Sequence, residues 1–148
     1  MKLKAKVAIG ALSRGEAVAE LVANAAPYII DEAHAVYSRV MSHFDEPMTL
    51  DDLIARTNSG KPPSWPAYKP HHIVEQTPNK EKISSELLQG RENIVRIPYY
   101  IHRDISDYYS RKDPDLGDVS PRDYLRGKAY KEQYEFGLKI LRKYGALK

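Results

Sequence analysis

The stretch His71-His-Ile-Val-Glu-Gln76 is followed by Asn93-Ile-Val-Arg-Ile-Pro98 and then by Tyr99-Tyr-Ile-His-Arg-Asp-Ile-Ser-Asp-Tyr-Tyr109. The first segment is short and β-branched at Ile73 and Val74, which predicts a strand over 71–76. In the second, Ile94, Val95 and Ile97 favour a strand, and Pro98, which lacks an amide proton, stops it. From Tyr99 to Arg111, Ile101, Ile105 and Tyr108 or Tyr109 recur at helical spacing. Between the strands, Thr77-Pro-Asn79 turns the chain and a modest helical patch runs from Glu81 to Leu88, closed by Gly90. The order is strand, excursion, strand, helix, so 68–111 is the centre of an α+β domain.

Outward from that centre the patterns are helical. From Glu16 to Phe44 the apolar residues Val18, Leu21, Val22, Ala25, Ile29, Ala33, Val36, Tyr37, Val40, Met41 and Phe44 read as one buried stripe, divided at Pro27. Thr49-Leu-Asp-Asp52 has the shape of a capping box ahead of a short helix that ends by Asn58-Ser-Gly60. Residues 61–70, Lys-Pro-Pro-Ser-Trp-Pro-Ala-Tyr-Lys-Pro, hold four prolines and predict a stiff connector. Asp113 to Asp118 is a loop. Ser120-Pro-Arg-Asp123 opens a last basic amphipathic helix over 119–146, with Tyr130, Tyr134, Leu138 and Leu141 as its buried stripe and Gly145 as its cap. The expected organisation is a single domain of 148 residues: helical scaffold 1–60, connector 61–70, core 68–111 and C-terminal helix.

Composition narrows the function classes. No apolar run approaches the about 20 residues that a membrane-spanning helix needs, so no membrane partner is expected. The apolar run Val7 to Leu12 is cut short by Ser13-Arg14-Gly15-Glu16, so no cleavable signal is expected either. With no cysteine, any metal must sit on His, carboxylate, amide or water. The formal charge of +3 is uneven: residues 1–74 carry 8 Lys/Arg against 8 Asp/Glu, residues 75–148 carry 15 against 12, and residues 120–148 alone carry 8 against 3. A basic second half suits a polyanion, and it equally suits a solvated basic helix.

Of the five histidines, His71, His72 and His102 fall in the strand, strand, helix segment. Successive strand side chains point to opposite faces, so the adjacent pair needs two different jobs. One imidazole suits a metal, and its neighbour, with an unperturbed pKa of about 6.5, suits a general base at neutral pH. His71-His-Ile-Val-Glu-Gln, Asn93-Ile-Val-Arg-Ile-Pro and His102-Arg-Asp-Ile together resemble the HNH endonucleases, in particular the cysteine-free His-His subgroup common among bacterial toxin domains. That resemblance implies a ββα-metal finger. It makes His71 and His102 ligands of one divalent ion, His72 the general base and Asn93 the brace of the loop that bears the base. Mg²⁺ is the expected ion, with Mn²⁺, Zn²⁺ or Ni²⁺ as alternatives. The zinc-knuckle cysteines frequent in the family are missing, so the hairpin must be held by packing.

Arg96 and Arg103 are the candidate phosphate contacts, with a surface cation as the equal alternative. Glu75 reads as a structural or salt-bridging residue, Tyr99 and Tyr100 as packing between helix and hairpin, and His34 and His43 as structural. The expected partner is nucleic acid, DNA ahead of RNA. The toxin-like resemblance adds an immunity protein and a setting in the cytoplasm, or delivery into a target cell on a larger carrier. The competing reading is a non-catalytic module that binds nucleic acid or protein and keeps its histidines as a structural or relic site.

Overall fold

The structure is a computed structural model, which describes residues 40–59 and 67–148 together with Ala33, Val36 and Tyr37. It divides into two compact units, Met1–Tyr37 and Ser38–Lys148; the second carries every element below. Most of the stretch 16–44, where the sequence predicts a helix, lies outside the described residues, His34 included. Its described end departs from the expected buried stripe: Val40, Met41 and Phe44 are 51%, 45% and 73% exposed, and the side chain turned inward is Ser42.

The unit is a mixture of helix and strand around one two-stranded antiparallel sheet. β1 (Tyr68–His72) pairs with β2 (Ile94–Pro98) in the register Tyr68↔Pro98 to His72↔Ile94. The first strand therefore begins inside the proline-rich stretch, three residues before the expected start, and ends at His72. The pairing explains why Pro70 is tolerated. Tyr99 N donates to Ala67 O and Ile73 N to Asn93 O, each at 2.8 Å. Bonded pairs alternate along an antiparallel ladder, so the Pro70↔Arg96 pair is a non-bonded one and the missing proline N–H would have pointed away from β2. Ile73 and Val74, read as strand for their β-branching, bury themselves in the core instead, each 1% exposed.

The outward-facing backbone of Arg96 is satisfied by a helix. α1 (Leu50–Asn58) is capped by Thr49, whose Oγ1 accepts from Asp52 N at 3.2 Å. Its Thr57 Oγ1 accepts from Arg96 N at 2.9 Å, and its Arg56 Nη2 donates to Arg96 O at 3.1 Å. Side chains of α1 thus take the place of a third strand, and Leu53 fills the space between helix and sheet. The short α2 (Ser85–Leu88), capped by Ser84, buries Leu88 within the excursion. α3 (Tyr99–Ser110) follows β2 directly and buries Ile101, Ile105 and Tyr109, which recur every four residues on one face.

The C-terminal helix expected over 119–146 is two helices, α4 (Pro121–Leu125) and α5 (Tyr130–Lys143). Gly127 separates them at φ +81°, a left-handed conformation that cannot continue a helix. Glu132 then takes the N–H of Ala129 at 3.2 Å to start α5. The inward face of α5 carries Gln133, Gly137, Ile140 and Leu141. Tyr130 and Tyr134 stack on each other, and Tyr134 Oη donates to Glu92 O at 3.0 Å, so the tyrosines lie beside the buried stripe and not in it. At Gly137 the helix backbone lies directly against Ile73, and any Cβ there would run into the Ile73 carbonyl and Cγ2. Lys148 N donates to Met48 O at 2.9 Å, tying the C-terminus beside the start of α1. Among the described residues no helix is long and apolar enough to cross a membrane.

Candidate active site

The three histidines of the strand, strand, helix segment line one cleft of about 460 Å³. His71 and His72 are the last residues of β1, and His102 stands on the first turn of α3, beside them because that helix leaves β2 without a linker. The His71 and His102 rings meet edge to face, with centroids 5.6 Å apart and planes at 89°. His71 is 9% exposed; His72, on the opposite side of the strand, is half-buried. The Nε2 of His72 is shut away from solvent and has no hydrogen-bond partner. The rings of His71 and His102 likewise make no hydrogen bond among the described residues.

Burial sets the charge state of the site. Desolvation, reinforced by the neighbouring His102 and His72, lowers the His71 pKa to about 3. His102 is also lowered, by burial first and by the Lys69 ammonium second. Both imidazoles are therefore neutral at neutral pH, and each keeps a lone pair that no donor among the described residues uses.

Asn93 holds the loop that follows the histidine pair. It is wholly buried, and its Oδ1 accepts from Val74 N at 2.8 Å while its Nδ2 donates to Val74 O at 3.2 Å and to Leu88 O at 2.9 Å. Asn79 and Gln133 exchange a reciprocal amide pair, Nδ2 to Oε1 at 2.8 Å and Nε2 to Oδ1 at 2.9 Å, which joins the same loop to α5. With Ile73 seated against Gly137, the backbone after His72 is fixed from three directions.

The other cleft residues include Glu75, Ser106, Tyr109 and Arg122. Arg122, on α4, holds Glu75 by both carboxylate oxygens, Nε at 2.9 Å and Nη2 at 2.7 Å. Of the cations named from sequence, neither lines the cleft. Arg103 is exposed and meets Asp104 at 3.7 Å, and Arg96 lies on β2 with its backbone bound to α1. Arg122 was not foreseen; the only local sign was a cation inside a capped helix start. Tyr100 stacks on His43 with centroids 4.0 Å apart, which gives both residues packing roles, whereas Tyr99 is exposed.

The site suits a divalent ion in its donor chemistry. Two neutral imidazoles meet at the cleft, and among the described residues they have no hydrogen-bond partner and no group of three or more His, Cys, Asp or Glu is gathered that could hold an ion. Such a centre would rest on His71 and His102 and leave its remaining positions to water or phosphate, as a catalytic centre does and a closed structural one does not. No known protein family, curated protein or solved structure matches the chain.

Proposed function

We propose that the chain is a metal-dependent endonuclease of the HNH type, in which the hairpin and α3 form a ββα-metal core that hydrolyses phosphodiester bonds, with DNA as the favoured substrate. The observation that carries the reading is the convergence of His71, His72 and His102 on one cleft, beside an asparagine that braces the loop after the pair. His71 and His102 would hold the ion, which, when bound, supplies positive charge to the phosphoryl group and the departing oxygen.

The remaining work falls to the chain. His72 accepts the proton of the attacking water as the new O–P bond forms and the P–O3′ bond breaks, leaving a 5′-phosphate and a 3′-hydroxyl that takes its proton from solvent. With Nε2 buried, Nδ1 is the nitrogen left for that proton. General-base catalysis of this kind contributes about 10²- to 10⁴-fold. Asn93 keeps the base in register through Val74. The toxin setting, with an immunity protein as partner, rests on the resemblance alone.

The test is digestion of supercoiled plasmid with Mg²⁺, Mn²⁺, Zn²⁺ or Ni²⁺ by the wild type and by His72→Ala. Nicking and linearisation by the wild type, lost in the variant, are expected. Equal cutting by both would remove the base assignment, and no cutting with any ion would remove the function.

A further inference from the structure

Among the described residues that line the cleft, one Lys or Arg is present, Arg122 on α4, outside the strand, strand, helix segment. Arg122 offers five N–H donors in a planar fork. Glu75 engages Nε–H and one Nη2–H, and Ser110 Oγ accepts from Nη1 at a long 3.3 Å. Two donors remain without a partner among the described residues, one on each terminal nitrogen. The side chain is 40% exposed, and Arg122 and the three histidines line the same space.

An arginine serving only as a tie between α4 and the loop would have no reason to stand at the cleft wall with two of its five donors unspent. We propose that Arg122 binds a phosphate of the nucleic-acid substrate through its free terminal N–H groups, and that Glu75 is the positioning residue that orients the guanidinium. The carboxylate grips the Nε edge and fixes the plane of the fork, so the remaining donors are aimed before substrate arrives. Glu75 lies three residues after His72, so the same loop that presents the base also sets the direction of the phosphate clamp. The proposal rests on the nuclease reading for the nature of the substrate, but not on catalysis.

Binding in the absence of metal tests it. A short labelled DNA duplex, and in parallel its single strand, would be titrated in EDTA buffer by fluorescence anisotropy with the wild type, Arg122→Gln, Arg122→Lys and Glu75→Gln, with melting temperatures measured alongside. Loss of charge-assisted hydrogen bonds to phosphate predicts affinity falling about 10- to 100-fold in Arg122→Gln. The log-log salt slope should become shallower by about 0.9. Arg122→Lys, which keeps charge but not the fork, should bind several-fold weaker than wild type. Glu75→Gln should lose much less affinity than Arg122→Gln, with the salt slope unchanged.

A purely structural bridge is broken equally from either side. Equal affinity losses in Arg122→Gln and Glu75→Gln with an unchanged slope would therefore overturn the proposal, as would wild-type affinity in both Arg122 variants or no binding by the wild type to either probe. The expected binding pattern in a protein that cuts with no ion would sink the nuclease reading and leave the phosphate site standing. Cutting by a wild type whose Arg122 variants bind normally would do the reverse.

Discussion

Asn93 closes a ring on the backbone of Val74, accepting its N–H at 2.8 Å and donating to its carbonyl at 3.2 Å, two residues beyond His72. Its third bond, to Leu88 O, ties the same amide to the end of α2. Nothing here is reachable by water, since Asn93 is 0% exposed. Asn93→Asp keeps the acceptor but sets carboxylate oxygens against two carbonyls. Unsatisfied buried groups cost about 1–3 kcal/mol each, so urea denaturation should show Asn93→Asp destabilised by at least about 2 kcal/mol. A change within about 0.5 kcal/mol would mean that the loop is held by other contacts.

Gly137→Ala separates intrinsic helix preference from packing. Inside a helix the substitution gains about 1 kcal/mol. Against Ile73 it has no room, and overpacking costs about 1–3 kcal/mol. The melting temperature should fall, and if the wild type cuts nucleic acid, activity should fall with it, because Ile73 is bonded to His72. A raised melting temperature would show that α5 stands further from the loop.

Burial of neutral His71 makes the metal-free protein sensitive to acid. Above pH 6.5 folded and unfolded chains both carry it uncharged. Below that, the unfolded chain takes a proton that the folded one refuses until about pH 3, so stability is lost as pH falls through this window. The slope from one such group is about 1.4 kcal/mol per pH unit. Relative to His71→Asn, the wild type should lose stability by up to that slope between pH 6 and 4 in chemical denaturation with EDTA. Parallel curves for the two proteins would place His71 in solvent.

The tyrosines set the alkaline limit. Burial is the largest cause raising Tyr68 to about 12, with its hydrogen bond to Asp45 next, and it also raises Tyr100, Tyr108, Tyr109, Tyr130, Tyr134 and Tyr144. A raised folded pKa gives stability that is complete below pH 10 and lost as pH rises toward the folded values. Phenolate absorbance should therefore lag behind that of free tyrosine and climb together with the loss of far-ultraviolet ellipticity. Early, non-cooperative ionisation of most tyrosines would contradict the packing around α3 and α5.

Local pattern carried β2 and α3, because Ile94, Val95 and Ile97, then Ile101 and Ile105, are strong signals within single elements. It misplaced β1, since whether Pro70 is tolerated depends on which edge its absent N–H would face, a property of the pairing partner. It missed the break at Gly127, because an isolated glycine inside a helical pattern looks tolerable until its φ is known. The approach of His71 to His102 follows from hairpin and helix being consecutive, so it was foreseeable from order alone. The Glu75–Arg122 bridge joins residues 47 apart, one on the loop after β1 and one on α4, and no spacing rule reaches that far.

The central claim is that His71 and His102 hold one ion next to a base at His72. Calorimetric titration of Ni²⁺ or Zn²⁺ into the wild type, His71→Ala, His102→Ala and His72→Ala tests it most directly. One ion per chain in the wild type, at least tenfold weaker binding in His71→Ala and His102→Ala, and retained binding in His72→Ala are the expected results. Binding in the wild type that survives the loss of either His71 or His102, or no binding at all, would contradict the account.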